Sequence, residues 1–446
     1  MFKKILIANR GEIAVRINRA CQELGISTVA VHSEADRDSM HVRIANESVC
    51  IGPNQVNKSY LNAHALIAAC EITNAEAIHP GYGFLSENAS FAKMVSDHGL
   101  TFIGPKHEHI EKMGDKIQAK KIMQQLGVPT VPGSEGKIEN ISDALKIGSE
   151  IGFPVLLKAA AGGGGRGMKV IKNEKEMSDN FSIVKQEALS FFGNDTVYIE
   201  KFIDSPRHIE VQVIGDSHGN FVHLYERDCS VQRRNQKVIE EAVAPGIDNE
   251  DKIKLFETVI SAIKEMGYLG LGTLEFLYHE GKFYFMEMNT RLQVEHPITE
   301  MITRIDLVRE QITVAAGEKL SFDQAKVNPL GHSIECRINA EDPKTFKPSA
   351  GTINLYHPPA GNGIRLDTFI YSGYKVPHYY DNLLAKLIVT GRDREHAIRR
   401  ALRSLDEIII EGTVTNIELH KKILASEDFK KGSVSIKWLE ENIEKL

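Results

Sequence analysis

The stretch from Met286 to Pro297, Met-Glu-Met-Asn-Thr-Arg-Leu-Gln-Val-Glu-His-Pro, carries a charged or amide side chain at every second position. These positions are Glu287, Asn289, Arg291, Gln293 and Glu295. An extended chain turns alternate side chains to one face, so a strand here would present carboxylates, amides and a guanidinium together. Such a face suits a metal ion and an anion. The alternative is a solvated edge strand, because alternating polarity is also the ordinary signal of a strand.

Two apolar and aromatic runs lead into this stretch, the second overlapping its first two residues, and each contains one carboxylate. Glu275 lies in the run from 273 to 278, and Glu287 ends the run from 283 to 287. Buried carboxylates are costly unless they are paired or bound to metal. If the two face each other across a hairpin, the loop must have odd length, most simply the three residues Glu280 to Lys282. With Asn289 their oxygens suit Mg²⁺, whereas pairing with arginines is the alternative.

Length and composition indicate a cytoplasmic globular protein of two or three structural units. The chain has 446 residues, of which 42% are hydrophobic and 26% charged, as is usual for a folded protein of this size. A net charge of −6 argues against nucleic-acid binding but allows a local basic pocket. The 5 cysteines show no zinc-site or disulfide spacing, and neither a signal peptide nor a membrane span is expected.

The first part of the chain is expected to form a parallel sheet with crossover helices up to about residue 113. Apolar runs at 5–8 and 28–32 flank a helical pattern, and the alternation of strands and helices continues to residue 103. The segment from His79 to Asn88 is a rigid Gly/Pro turn after a strand. This is where open α/β sheets place ligands, although a tight connection is an equal alternative.

A glycine run occupies 162–165 and 167, after a Pro/Gly hinge at 127–134. A dinucleotide fingerprint must open a helix, but β-branched residues follow here, and a P-loop would need a lysine where Met168 stands. What remains is a hairpin whose glycines can approach phosphate oxygens, with Lys158 beside it. A hairpin tip without a ligand is the alternative. The cation-dense segment 226–237, taken alone, predicts a solvated basic loop.

Several long motifs together resemble the biotin carboxylase family, and the match runs essentially from end to end. They lie at 7–14, 79–88, 162–167, 226–237, 287–297 and 335–343. The resemblance implies an α/β fold, in part α+β, of the ATP-grasp type. It also implies a Rossmann-like N-terminal domain at 1–113, an ATP-grasp domain at 114–330 with a mobile lid at 131–203, and a mixed α/β C-terminal domain at 331–446.

The resemblance also implies an activity. Family members are ligases that convert MgATP and bicarbonate into carboxyphosphate and pass the carboxyl group to the ureido nitrogen of biotin. The implied cofactors are ATP and Mg²⁺, with Mn²⁺ as a substitute, and the biotin is a carrier-bound substrate. The implied partners are a separate biotin carboxyl carrier protein, carboxyltransferase subunits and a second copy of the chain. Together they would form an acetyl-CoA carboxylase of fatty acid biosynthesis, or alternatively a carboxylase acting on another acyl-CoA or on pyruvate.

Roles carried over from the family fall on matching positions of this sequence. The implied nucleotide residues are Lys116, Lys158, Gly162, Gly163, Gly164, Gly165, Gly167, Met168, Glu200, Lys201, Ile203, His208, Gln232, Asn235, Glu275, Leu277 and Glu287. The implied metal ligands are Glu275, Glu287 and Asn289, and the implied bicarbonate residues are Arg291, Gln293, Lys237 and the backbone of Val294. Glu295 would remove the proton of bicarbonate, Lys237 would steady carboxyphosphate, and Arg337 would stabilise the biotin enolate, with Tyr82 also at the biotin.

Two positions depart from the family pattern. Asn235 stands where members often have histidine, and an amide cannot bring a positive charge to a phosphate. Asn362 replaces a more apolar residue near the expected dimer contact. Two other functions remain open on the residues alone: a different ATP-grasp ligase that joins an acyl phosphate to an amine, and an ATP-binding regulatory subunit without catalysis.

Overall fold

A computed structural model describes residues 1–134, 136–160 and 167–446 of the chain. Gly162, Gly163, Gly164 and Gly165 of the predicted glycine loop lie outside the described residues. Within those residues, no helix combines the length and the apolar character that crossing a membrane requires.

The N-terminal part of the chain forms a parallel sheet with helices on both faces. Its strands are β1 (Lys4–Ile7), β2 (Ser27–Ser33), β3 (Glu47–Gly52), β4 (Ala77–His79) and β5 (Thr101–Phe102), and its helices are α1 (Gly11–Glu23), α2 (Met40–Ile44), α3 (Ala63–Thr73), α4 (Ala89–Asp97) and α5 (His107–Gly114). The order is β3-β2-β1-β4-β5. Ile5 and Ile7 pack with α1, whereas Leu6 packs with α3 on the other face. Each such buried side chain contributes about 1.5–3 kcal/mol, and the predicted parallel sheet is confirmed.

A small antiparallel sheet follows, covered by two helices. Its elements, with the preceding helix, are α6 (Lys116–Gln125), α7 (Ile141–Ile151), β6 (Val155–Ala159), β7 (Met168–Ile171), α8 (Glu174–Phe192) and β8 (Val197–Lys201). The described strands have the order β7-β6-β8, and Lys158 pairs with Met168. Apolar residues of the sheet pack against Phe181 and Val184 of α8. The predicted antiparallel hairpin is therefore confirmed on its two strands.

The remaining strands build a large antiparallel sheet that crosses the predicted boundary at 330/331. Its strands are β9 (Arg207–Gly215), β10 (Phe221–Arg233), β11 (Gln236–Ala242), β12 (Gly270–His279), β13 (Lys282–Asn289), β14 (His332–Asn339), β16 (Ile364–Thr368) and β17 (Leu383–Gly391), while β15 (Leu355–His357) and β18 (Ile409–Glu411) pair separately. In the described residues the order is β13-β12-β9-β10-β11-β14-β17-β16. The predicted domain boundary thus falls between strands of one sheet.

Helices cover both ends of this sheet. They are α9 (Asn249–Glu265), α10 (His296–Thr303), α11 (Leu307–Ala315), α12 (Arg394–Glu407), α13 (Ile417–Ala425), α14 (Glu427–Lys431) and α15 (Trp438–Asn442). Leu387 of β17 belongs to a core that includes Ile398 and Leu405 of α12 and Phe429 of α14. This packing holds β14 and β17 in place behind the cavity described below.

The prediction of a basic loop at 226–237 is wrong. Most of the segment belongs to β10 and β11, joined by Arg234 and Asn235. Both of these residues have positive φ, 48° and 62°, a conformation that asparagine tolerates better than most residues. The high density of cations suggested exposure to solvent, but Arg227 is completely buried.

Candidate active site

The β12–β13 hairpin places Glu275 directly opposite Glu287, as predicted, but through a different loop. The connection contains two residues, Glu280 and Gly281, with φ of 47° and 76°, the positive values of a tight hairpin turn. The predicted three-residue loop is therefore wrong. Phe276 pairs with Phe285 and Glu275 with Glu287, so Met286 is an extra residue in a β-bulge. The bulge restores the register that the even loop would have lost.

The stretch from Met286 to Pro297 is a strand only as far as Asn289. It then turns through Glu295 into α10. All five polar residues of the predicted row nevertheless line one cavity of about 530 Å³, together with Met286 and Val294. The row is thus preserved as a lining of the cavity, although three of its five residues lie beyond the end of the strand.

Most of the predicted site residues in the described ranges line this same cavity. They are Tyr82, Lys116, Lys158, Met168, Glu200, His208, Gln232, Asn235, Lys237, Glu275, Leu277, Glu287, Asn289, Arg291, Gln293, Val294, Glu295 and Arg337. Two others, Lys201 and Ile203, instead line a neighbouring cavity of about 500 Å³ beside Tyr284. Gly167 lines neither described cavity but lies at the strand end, where a Cβ would come within 2.9 Å of the Ala159 Cβ.

Lysines and carboxylates pair at one end of the large cavity. Lys158 Nζ donates to Glu200 Oε2 at 2.8 Å, and Lys120 Nζ donates to Glu200 Oε1 at 3.1 Å. Burial alone would raise the pKa of Glu200, but the two ammonium groups outweigh it and lower the pKa. Lys116 Nζ lies 3.2 Å from Glu287 Oε2. Three cations therefore converge here, which suits an anionic phosphate chain; the sequence had not singled out Lys120.

Lys237 connects the carboxylate of Glu275 on the hairpin with that of Glu295 further along the cavity lining. Its Nζ donates to Glu210 at 2.7 Å, to Glu275 at 3.0 Å and to Glu295 at 2.6 Å. Burial alone would lower the pKa of Lys237, but Cys229 and these carboxylates raise it well above its ordinary value. The ammonium is therefore held charged, and its three donors are satisfied by three carboxylates.

Glu295 lies between two cations. Its Oε1 accepts from Lys237, and its Oε2 accepts from Arg337 Nη2 at 3.0 Å. Burial alone would raise the pKa of Glu295, but Lys237, Arg337 and Arg227 outweigh it and lower the pKa. Arg337 also binds Glu240, whose pKa burial raises to about 7 against the opposing effect of Arg337. Glu295 is therefore an ionised carboxylate in this arrangement.

Arg291 and Gln293 face the same space from the turn after β13. Arg291 Nε donates to Glu87 Oε2 at 2.8 Å, and Nη2 donates to Asn289 Oδ1 at 2.8 Å. Gln293 Nε2 donates to Glu275 Oε1 at 2.7 Å. Glu87 belongs to the Gly/Pro turn of the N-terminal part, so that turn has a positioning contact here in addition to connecting two elements.

Arg227 binds Glu210 and Gln293 beneath the site, a role that was not predicted from the sequence. It is 0% exposed and binds Glu210 through Nε and Gln293 Oε1 through Nη2, the latter at 2.5 Å. Its Nη1 donates to Gln212 at 2.7 Å and to Thr299 at 3.0 Å. A guanidinium is suited to this role because its fixed fork of donors reaches several acceptors at once.

The oxygen donors fit a magnesium ion. Glu275 and Glu287 are register partners, Asn289 pairs with Thr273 two positions along, and all three side chains line the cavity. Mg²⁺ prefers such hard oxygen ligands and completes its shell with phosphate and water. The carboxylates contact Lys237 and Lys116 and not arginines in the described residues. His208 Nε2 also lies 3.1 Å from Glu275 Oε2.

Family models match nearly the whole chain in three consecutive pieces. Residues 1–110 match the N-terminal domain of biotin carboxylase, and residues 335–441 match its C-terminal domain. Residues 115–323 match the ATP-binding domain of the carbamoyl-phosphate synthase L chain. The three matches have the order that the resemblance implied.

Individual relatives of known sequence or structure indicate the same family. A biotin carboxylase of Pseudomonas aeruginosa is 55% identical over 444 residues, covering 99% of each chain. The structure of a biotin carboxylase complex with β,γ-ATP from Campylobacter jejuni is 48% identical, covers 99% of each chain and superposes with a TM-score of 0.96. The biotin carboxylase domain of 2-oxoglutarate carboxylase from Hydrogenobacter thermophilus, a dimer with MgADP and bicarbonate, is 49% identical with a TM-score of 0.95, over 100% of this chain and 98% of that one. The ATP-grasp architecture is thereby confirmed, and the chain belongs to the biotin carboxylase family of ATP-dependent ligases.

Proposed function

We propose that this chain carboxylates biotin with bicarbonate at the expense of MgATP, through carboxyphosphate. The observation that carries the proposal is the single cavity in which the lysines at 116 and 158, the carboxylates of the hairpin, and Arg291, Glu295 and Arg337 all meet. Phosphoryl transfer depends chiefly on positioning and charge neutralisation, and this lining provides both.

The nucleotide would occupy the lysine end of the cavity. Lys116 and Lys158 would neutralise its phosphates, and Glu275, Glu287 and Asn289 would hold Mg²⁺. When bound, the metal supplies charge neutralisation on the transferred phosphoryl group. Lys201 and Ile203, at the neighbouring cavity, and the glycines of the loop stay predictions for nucleotide binding.

Bicarbonate would lie between Arg291, Gln293, Lys237 and the backbone of Val294. Arg291 is oriented by Glu87 and Asn289, so its fork is held in place before the planar anion arrives. An oxygen of bicarbonate then bonds to the γ-phosphorus as the bond to the β-phosphate oxygen of ADP breaks. Lys237, which lies between the two ends of the cavity, would steady the carboxyphosphate that forms.

Glu295 would accept the proton of bicarbonate during this transfer. Its lowered pKa makes it a weak base when bicarbonate alone is considered, so we infer that proton removal is coupled to phosphoryl transfer. The bond to phosphorus lowers the proton affinity of the attacking group, and the carboxylate need accept the proton only then. Lys237 and Arg337 hold its two oxygens in the required place.

Biotin would enter beside Tyr82 and Arg337. The bond between the carboxyl carbon and the phosphate oxygen of carboxyphosphate breaks, and the departing phosphate takes the proton of the ureido nitrogen. That nitrogen then bonds to the carboxyl carbon. Arg337 would stabilise the enolate form of the ureido group, because its guanidinium remains charged among Glu240 and Glu295. Asn235 lines the cavity without the charge that family members often have at this position.

The biotin would be presented by a separate carboxyl carrier protein, and the chain would act as a cytoplasmic homodimer with carboxyltransferase subunits in acetyl-CoA carboxylase. The biotin carboxylase domain of a 2-oxoglutarate carboxylase is 49% identical to this chain. A 2-oxo acid is therefore the second candidate for the final acceptor of the carboxyl group. Transfer from carboxylated carrier to acetyl-CoA or to a 2-oxo acid, with each purified carboxyltransferase, distinguishes the two.

The decisive assay follows ATP hydrolysis with each substrate omitted in turn. We expect hydrolysis to require both bicarbonate and Mg²⁺ and to rise when free biotin is added. An ATP-grasp ligase for another acid would hydrolyse ATP equally well without bicarbonate, and a regulatory subunit would bind ATP without hydrolysing it. Either outcome would overturn the proposal.

Replacing Glu287 by glutamine tests the metal site. Glu287→Gln is expected to raise the Mg²⁺ concentration required for half-maximal ATP hydrolysis by at least about 10-fold, because one anionic ligand is lost. Glu280→Gln, at the exposed tip of the same hairpin with 85% of its side chain accessible, is the matched control. An unchanged Mg²⁺ requirement in Glu287→Gln would remove this residue from the metal site.

A further inference from the structure

A buried lysine lies directly behind the proposed bicarbonate site. Lys386 is 0% exposed, and its Nζ donates to the backbone carbonyl of Val294 at 2.8 Å. The same Nζ lies 3.0 Å from Glu12 Oε1 and 6.0 Å from the centre of the Tyr82 ring. A buried ammonium is tolerated only when its donors are satisfied. This lysine is therefore fixed by the groups around it and in turn fixes the Val294 carbonyl.

The sheet register explains how Lys386 reaches this carbonyl. Lys386 on β17 is the partner of Arg337 on β14, and cross-strand partners project their side chains from the same face. Arg337 holds the carboxylate of Glu295, whereas Lys386 holds the carbonyl of the residue before it. Two neighbouring side chains of the sheet thus form hydrogen bonds with two consecutive residues of the site.

The carbonyl that accepts from Lys386 belongs to the peptide that joins Val294 to Glu295. Because a peptide unit is planar, fixing its oxygen also fixes the Glu295 N–H and the direction in which the Glu295 Cα leaves. Glu12 comes from the first turn of α1, and its Oε1 also accepts from the Tyr82 hydroxyl. The N-terminal helix α1 and the C-terminal strand β17 therefore meet directly behind this peptide.

We propose that Lys386, held by Glu12, is a positioning residue that orients the Val294–Glu295 peptide for bicarbonate. This inference rests on the proposed function. Lys386 does not touch a reacting atom; it acts through the backbone, and its effect falls on the anion site at one end of the cavity. The nucleotide lysines at the other end are independent of it.

The test compares the kinetics of two substrates. In Lys386→Met, we expect kcat/KM for bicarbonate to fall by about 10–100-fold, as for other small misplacements of catalytic groups, while KM for MgATP stays within about twofold. If the single variant fails to fold, the variant Glu12→Gln/Lys386→Met removes both charges of the pair, so the carboxylate of Glu12 is not left without its lysine. It is expected to show the same selective loss.

Lys252 provides a matched control. Its Nζ donates to the Ala244 carbonyl at 2.8 Å and pairs with the buried Glu226 at 2.7 Å, the same combination of contacts outside the cavity lining. Lys252→Met should leave bicarbonate kinetics unchanged. Normal kcat/KM for bicarbonate in the Lys386 variants, or an equal loss for MgATP, would overturn the inference. If the unmodified chain itself shows no bicarbonate-dependent hydrolysis, the proposed function has failed instead.

Discussion

Glu295→Gln is expected to slow carboxybiotin formation by about 10²–10⁴-fold, the usual contribution of a general base, with nearly normal affinity for MgATP. Glutamine keeps the shape of the side chain but cannot accept the proton. Lys237 retains Glu210 and Glu275, and Arg337 retains Glu240, so neither cation is left unpaired. The fold and the lysine end of the cavity should therefore be preserved.

The measurement combines labelled bicarbonate incorporation into biotin with calorimetric titration of MgATP. Glu310→Gln is the matched control, because Glu310 is a buried carboxylate outside the cavity lining that binds Ser321. If Glu295→Gln weakened MgATP binding as much as it slowed carboxylation, Glu295 would be a structural or metal residue instead of the base.

Arg227→Met is expected to lower the free energy of unfolding by about 3–5 kcal/mol, as when one partner of a buried ion pair is removed. Burial alone would lower the pKa of Arg227, but Glu210 and Glu295 raise it, so a full charge is lost. Methionine leaves Gln212 and Thr299 without this donor. The Oε1 atom of Gln293 also loses this donor, although Nε2 keeps its bond to Glu275, so bicarbonate affinity should fall as well.

Urea unfolding followed by circular dichroism measures this effect. Arg399→Met is the control, because Arg399 forms an exposed pair with Glu395 one helical turn away, with 55% and 80% of the two side chains accessible. Exposed pairs of this kind contribute little, and the urea midpoint should not move. An equally unchanged midpoint in Arg227→Met would show that the buried network is dispensable for stability.

The facing pair of carboxylates could be predicted from the sequence, but the turn that creates it could not. A carboxylate inside each of two apolar runs suggested that Glu275 and Glu287 face each other across a hairpin. Their register confirms this, although 36% of the Glu287 side chain is accessible. An odd loop, or an even loop combined with one bulged residue, places the two carboxylates on the same face of the hairpin. Local sequence does not distinguish the two, because the bulge at Met286 depends on packing with the rest of the sheet.

Contacts between distant parts of the chain were the least predictable features. Arg291 is oriented by Glu87, 204 positions earlier, and Val294 by Lys386, 92 positions later. Periodicity describes one element at a time and carries no information about which elements meet. The role of Arg227 was not predicted for a related reason. A segment rich in cations normally faces solvent, and only the folded sheet shows that this one arginine is buried. The chemical roles of individual residues came from the family resemblance, and the substitutions above test them.

The pairing of β11 with β14, from Ile239 opposite Cys336 to Ala242 opposite Ser333, has a consequence for the integrity of the molecule. A chain cut between 330 and 331 would leave two open edges with unpaired N–H and C=O groups, which are templates for aggregation. The separated halves should therefore be insoluble alone and complement each other when produced together. Because Lys237 and Arg337 stand on these two strands, unfolding of either half would dismantle the catalytic centre in the same cooperative event.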